Sequence, residues 1–297
     1  RELRREGCLP GLRLLFKLQT AVIKAAGQEA RRLLPGISLG GFLLTHEDLL
    51  NVAEITSGRI SRSTVFADFL AISAYTISNS FDPVHREQRQ AALAAVFRNY
   101  RPEERRQFIK AFLELKRQIQ LNVDYHRYRD LLGEVFMEIG PRRKGQDFTP
   151  PSIAKLVARI SNAGSRALPE KGYFVVNESA CGSGAIMLSA ADEIDAAGLN
   201  PSYQMVAQME DLDPRCVHMA YIQMSLYGIP AVIIRGDVLA LEEFDRWYTP
   251  AYILFDWVWR EPMPFRPGRN RDDELLKMSV DPIYRAIRLM GKENHGK

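Results

Sequence analysis

Between Gly172 and Leu239 the chain alternates short apolar runs with helical segments, and no other feature of the sequence constrains the fold as much. GYFVVNESA, QMVAQMEDLD and AVIIRGDVL read as strands, separated by helices that start near Gly184 and Pro214. A further run, AYILFDWVW, reads as a fourth strand. Strand, helix and strand at this spacing predict parallel strands joined by right-handed crossovers, with helices on both faces of the sheet. Such sheets take ligands beyond the carboxyl ends of their strands, and the unusual turns of this region fall at those ends.

The first of these turns lies in NESACGSGAIMLSAADEI. Gly182 and Gly184 permit positive φ and close backbone approach, and the helix that follows offers unpaired amides. A glycine turn alone fits any nucleotide-binding sheet, or simply a tight turn. The acids sharpen it. Glu178 suits an ammonium better than a phosphate, which it would repel. Asp211, in EDLDP, can take both hydroxyls of a ribose, and Asp237, in RGDVL, can accept from an adenine amino group. Three acids at successive strand ends describe a site for an adenosine-like molecule. The plainer readings are helix caps for Asp211 and Asp213, a turn acid for Asp237 and a surface turn at Thr149–Pro150.

Upstream the period is helical. STVFADFLAISAYTIS spaces Phe66, Phe69, Leu70 and Ser73 on one face, and RPEERRQFIKAFLELKRQIQLN does the same with Phe108, Phe112, Leu115 and Ile119. YHRYRDLLGEVFMEIG continues the trend, with Gly140 and Pro141 as its stop. The expected division is a poorly defined segment 1–62, a helical domain 63–140, a ligand-binding α/β domain 141–265 and a charged helical tail 266–297. With 297 residues, 46% of them hydrophobic, the chain can bury a sizeable core. Net charge is +4, and 30 of the 40 basic residues are Arg. That bias favours phosphate or carboxylate recognition and is compatible with nucleic acid, though solvated Arg–Glu helix faces account for it equally. Cys8, Cys181 and Cys216 have no metal spacing, which predicts a reducing, cytoplasmic setting without disulfides. No apolar run is long enough for a membrane span. The chain opens on Arg1 and its first Met is Met137, so Arg1 is expected to be a fragment boundary or a non-Met start.

GQDFTPPSIAKLVARI, ESACGSGAIML, DLDPRCVHMAYIQMSLYGIPA and RGDVL, in that order, resemble the adenine amino-methyltransferases of DNA, in particular the modification subunit of type I restriction systems. The resemblance covers roughly residues 145–237. It implies a Rossmann-like S-adenosylmethionine-dependent methyltransferase sheet preceded by an α-helical domain. It also implies DNA as substrate and a separate specificity or modification subunit as partner. Carried over by position, Thr149 would touch the methionine carboxylate of the cofactor, with Phe148 and Pro150 shaping that wall. Glu178, where the family usually has Asp, would face the amino end. Ala180, Gly182 and Gly184 would line the methionine moiety, Asp211 the ribose and Asp237 the adenine.

The family's target-base element is altered. Its members follow the next strand with Asn or Asp, two prolines and an aromatic; here the run is FDWVWREPMPF. Glu261 takes the polar position, Pro262 is retained, Met263 intrudes and Phe265 lies one place late. The extra methylene of Glu261 would misplace an acceptor by about an ångström, worth roughly a hundredfold in rate. Trp257, Trp259 and Phe265 are candidates to stack on an extruded base, although aromatics at this spacing are more often core. No further strands are legible after this run, so the sheet is expected to end with its fourth. Two functions follow as expectations: adenine methylation with Glu261, Pro262 and Phe265 presenting the base, or a non-catalytic cofactor- or DNA-binding partner in a restriction-modification or antirestriction system.

Overall fold

The computed structural model describes residues 46–139, 148–161, 168–260, 272 and 274–281. In chain order the elements are α1 (His46–Val52), α2 (Arg62–Phe81), α3 (Arg86–Phe97), α4 (Pro102–Asp124), α5 (Gly133–Ile139), α6 (Pro151–Ile160) and β1 (Phe174–Glu178). Then come α7 (Ala185–Ala196), α8 (Pro201–Gln204), β2 (Met205–Asp211), α9 (Pro214–Tyr227), β3 (Ala231–Asp237), β4 (Glu242–Tyr248), α10 (Pro250–Leu254) and α11 (Trp257–Arg260). Cys8, the predicted helix stop at Gly140 and Pro141, and the target-base residues Glu261, Pro262, Met263 and Phe265 lie outside the described residues.

The four strands found among the described residues stand in the order β1-β2-β3-β4. β1 runs parallel to β2 with Glu178 opposite Met209, and β2 parallel to β3 with Asp211 opposite Arg235. β4 pairs antiparallel with β3, Val232 facing Tyr248 and Asp237 facing Glu242. The fourth strand is therefore EEFDRWY rather than AYILFDWVW, and it is not parallel. Only four residues separate Asp237 from Glu242, too few for the crossover that a parallel neighbour needs. AYILFDWVW is instead helical because Thr249 caps Pro250 at the first helical position. The Thr249 hydroxyl accepts from Tyr252 N at 3.3 Å and donates to the Ile229 carbonyl at 2.9 Å. An apolar run this short does not distinguish a buried helix from a buried strand.

Strand alternation divides the core. Ala207, Met209, Ala231, Ile233 and Trp247 point to the face covered by the crossover helices α7 and α9, and beyond these by α2 and α4. The predicted stripes Phe66–Phe69–Leu70 and Phe108–Phe112–Leu115–Ile119 are buried in that same core. Val206, Val232, Ile234 and Tyr248 point the other way, onto Tyr252, Ile253, Trp257 and the helical stretch 274–281. The segment from α2 to α3 is fastened to β4 through Arg89, which is buried. Its guanidinium pairs with Asp82 at 2.7 Å, donates to the Arg246 carbonyl at 2.6 Å and lies 3.8 Å over the Trp247 ring.

Candidate functional site

The C-terminal ends of β1, β2 and β3 carry Glu178, Asp211 and Asp237. Register places Glu178 and Asp211 on the same side of the sheet, the side that α7 and α9 cover. The turn after β1 has the expected backbone, Gly182 at φ 54° and Gly184 at φ 94°, both in the left-handed region where a β-carbon is costly. A Cβ on Gly184 would also press on the ends of Met209 and Met224 at 3.2 Å.

The turn is clasped from the next strand. Gly182 N donates to Asp211 Oδ2 at 2.9 Å, while Asp211 Oδ1 accepts from Asp213 N at 2.9 Å. Cys181 N donates to the Glu210 carbonyl at 2.8 Å. Asp213 caps α9, its Oδ1 accepting from Arg215 N at 2.9 Å, so the plainer reading is right for that residue. Asp211 does both: it orders its own turn and holds the glycine turn, with lone pairs left over for a ligand hydroxyl.

The Phe148–Thr149–Pro150 element reaches the same place. α6, which Pro150 caps, packs on α7 through Ala154 and Ala158, whose small side chains allow a close approach. Arg159 pairs with Glu193 at 2.8 Å and Lys155 with Asp192 at 3.5 Å. This sets the Phe148 ring 3.2 Å from where a Cβ on Gly182 would stand, and 5.4 Å from the Phe136 ring. Thr149 is half-buried; Pro150 and Ala180 are exposed.

Glu178 is the unusual group. Its Oε2 is buried and has no hydrogen-bond partner. Burial, and then the negative charge of Asp211, push its carboxyl up to about 8. Asp211 is also raised, first by burial and then by Asp213, against the pull of its backbone hydrogen bonds. Arg215, which lies over Phe136, is engaged by Asp213 at 2.5 Å. The Cys181 thiol is buried and driven upward by burial and by both carboxylates, so it packs rather than reacts. Such a pair of acids is suited to a ligand bearing positive charge and disfavours a phosphate.

Asp237 stands apart in role. Its Oδ1 accepts from Leu239 N at 2.9 Å and Ala240 N at 3.1 Å, the turn-acid arrangement. Its position at the end of β3 still puts it beside the end of β2. Sequence reasoning did not single out Leu212, which follows Asp211 and is 55% exposed; Val238 and Leu239, which follow β3, are exposed too. Of the aromatics held as stacking candidates, Trp257 is core: it is fully buried, 4.9 Å from the Tyr173 ring, and its indole N–H donates to the Ser202 carbonyl at 3.3 Å. Trp259 is 40% exposed. Among the described residues, no group of three or more metal-ligating side chains occurs and no helix is long and apolar enough to cross a membrane.

Residues 127–265 match the family model described as N-6 DNA methylase. No curated protein matches. Among solved structures, one described as a class I S-adenosylmethionine-dependent methyltransferase from Listeria monocytogenes is 17% identical with a TM-score of 0.37, over 63% of this chain and 50% of that one. The type I restriction-modification system methyltransferase subunit from Streptococcus thermophilus is 13% identical with a TM-score of 0.36, over 76% of this chain and 60% of that one. The chain thus spans half to three-fifths of the length of these two structures.

Proposed function

We propose, from the membership of residues 127–265 in the N-6 DNA methylase family, that this chain binds S-adenosylmethionine at the ends of β1–β3. One observation carries the reading: the carboxyl of Glu178, whose Oε2 is buried without a hydrogen-bond partner, stands beside the acid that clasps the glycine turn. Glu178 would receive the ammonium of the cofactor and Thr149, walled by Phe148 and Pro150, its carboxylate. Ala180, Gly182 and Gly184 would line the methionine moiety. Asp211 would take the ribose hydroxyls, Asp237 the adenine amino group through its second oxygen, and Leu212 an adenine face. When bound, the cofactor supplies an electrophilic methyl group on a sulfonium. The substrate class is DNA adenine, with Glu261, Pro262 and Phe265 as the proposed contacts to the target amine and base. A separate subunit would supply sequence recognition, and the cytoplasm is the proposed compartment.

A specific observation favours a second reading, binding without turnover. A parallel fourth strand would deliver its following residues to the same edge as Glu178 and Asp211. Antiparallel β4 instead returns the chain to the opposite edge, where Tyr248 faces Val232 near the start of β3. The chain would then serve as a cofactor- or DNA-binding partner in a restriction-modification or antirestriction system. Purified protein mixed with methyl-labelled S-adenosylmethionine and unmethylated DNA separates the two. Retention with incorporation supports the methyltransferase, retention alone supports the binding partner, and neither removes the cofactor reading.

A further inference from the structure

The turn between α4 and α5 is locked to the glycine turn by a partly buried polar network that the cofactor reading does not use. Asp130 Oδ1 accepts from Gly133 N at 2.8 Å, Leu132 N at 3.2 Å and Gln223 Nε2 at 2.9 Å. Its Oδ2 accepts from the hydroxyl of Ser183, the residue between the two glycines. Gln223, fully buried on α9, completes the circuit: Nε2 also donates to the Ser183 carbonyl at 2.8 Å, and Oε1 accepts from Leu131 N at 2.8 Å. Three chain segments distant in sequence therefore meet at Ser183. The packing leaves no slack, because a Cβ on Gly133 would overlap the Asp130 carboxylate and stand 2.6 Å from Ser183 Oγ. A second anchor lies one turn away on α9, where the Tyr227 hydroxyl accepts from Arg129 N at 3.0 Å and Asn122 Nδ2 at 3.0 Å and donates to the Arg129 carbonyl at 2.8 Å.

We infer that Asp130 and Gln223 are positioning residues that hold the glycine turn, through Ser183, in its ligand-binding shape. The inference rests on the reading that this turn contacts S-adenosylmethionine. Gly182 and Gly184 both sit at positive φ, which glycine reaches without strain and from which it can also depart, so the shape of the turn depends on what restrains it. Asp211 restrains the turn at Gly182, and the Asp130–Gln223 pair restrains it at the next residue, Ser183. A turn held at both residues loses little freedom when a ligand arrives, so preorganisation appears in affinity rather than in new contacts. The segment 130–133 belongs to the helical half of the chain, so the network makes that half part of the site without touching the ligand.

Two measurements on the full chain test this. In the first, hydrogen exchange is followed in ligand-free protein for the backbone of 181–185 and, as an internal reference, 231–235. Asp130→Ala is expected to speed exchange at 181–185 about tenfold, the cost of one lost charge-assisted hydrogen bond, with 231–235 unchanged. Equal exchange at 181–185, or the same acceleration in both regions, overturns the inference. In the second, affinity for S-adenosylmethionine is measured at a temperature where circular dichroism shows each variant folded. A merely structural contribution does not alter the affinity of a folded population. Asp130→Ala and Ser183→Ala should each weaken binding about tenfold and the double variant little more. Asp130→Asn, which keeps the turn acceptor and can donate to Ser183, should recover most of the loss. Additive losses, or no recovery, overturn the inference. Failure of the unaltered protein to bind S-adenosylmethionine would instead refute the cofactor reading, and the exchange measurement would still decide whether Asp130 holds the turn.

Discussion

The amide of Gly182 donates to the carboxylate of Asp211 at 2.9 Å, so the turn after β1 is built partly by the end of β2. Asp211 is thereby both a structural clasp and a candidate ligand acceptor. Asp211→Ala should abolish retention of S-adenosylmethionine and lower stability by about 1–3 kcal/mol, the range for leaving a buried donor unpaired. Asp211→Asn, whose single amide oxygen can accept from Gly182 or Asp213 but not from both, should recover only part of the stability and lose most of the affinity. Thermal melts and equilibrium dialysis distinguish the two. Equal affinity in both variants and the parent would remove Asp211 from the site.

Glu178 makes a pH prediction whose sign follows from its proton. In the folded protein the carboxyl holds its proton up to about pH 8, whereas unfolded it releases it near 4.5. The folded state binds more protons between those values, so this group's contribution to stability falls as pH rises through that window. Glu178→Gln should therefore raise the melting temperature at pH 8.5 far more than at pH 5. Binding of an ammonium ligand draws the carboxylate form, so at pH 7 it should release close to one proton. Calorimetry in buffers of different ionisation enthalpy reads that number, and Glu178→Gln should bring it to zero.

At Gly182 a side chain is disfavoured twice, by φ 54° and by the Phe148 ring 3.2 Å from a Cβ. Gly182→Val should abolish ligand retention and cost about 1–2 kcal/mol or more. If the ring is the main obstacle, Phe148→Leu should partly restore Gly182→Ala. An unchanged affinity in Gly182→Val would end the assignment of this turn.

Arg89 and Asp82 form a buried pair in which burial opposes the charge of Asp82, yet the hydrogen bond from His85 and the charge of Arg89 hold its carboxyl below the usual range. Arg89→Met leaves that carboxylate to His85 and the backbone amides of Val84 and His85, and should destabilise by about 1–3 kcal/mol. The double variant Arg89→Met with Asp82→Leu should recover much of it. Denaturant titration measures both.

Much of the site was legible because each clue was local. Glycine spacing, the Asp after β2 and the hydroxyl-capped helices depend on neighbours a few positions away. The amphipathic stripe from Phe108 to Ile119 was equally plain, since an α-helix writes its buried face into the sequence with its own period. β4 was misread because EEFDRWY carries charge on an edge strand, while AYILFDWVW is apolar all round and packs as short helices. Asp130, Gln223 and Arg89 were silent for a different reason. Their partners lie up to 157 positions away, and a single polar letter gives no sign of where its hydrogen bonds will close.

Arg89 has a consequence beyond fastening helices to the sheet. Among the described strands β4 is an outermost one, and the outward backbone groups of such a strand are a template for pairing with a strand of another molecule. The Arg246 carbonyl is already taken by the buried guanidinium of Arg89, so an incoming strand would find that acceptor occupied. The same side chain that joins the helices to the sheet thus also removes one of the acceptors on which edge-to-edge strand pairing depends.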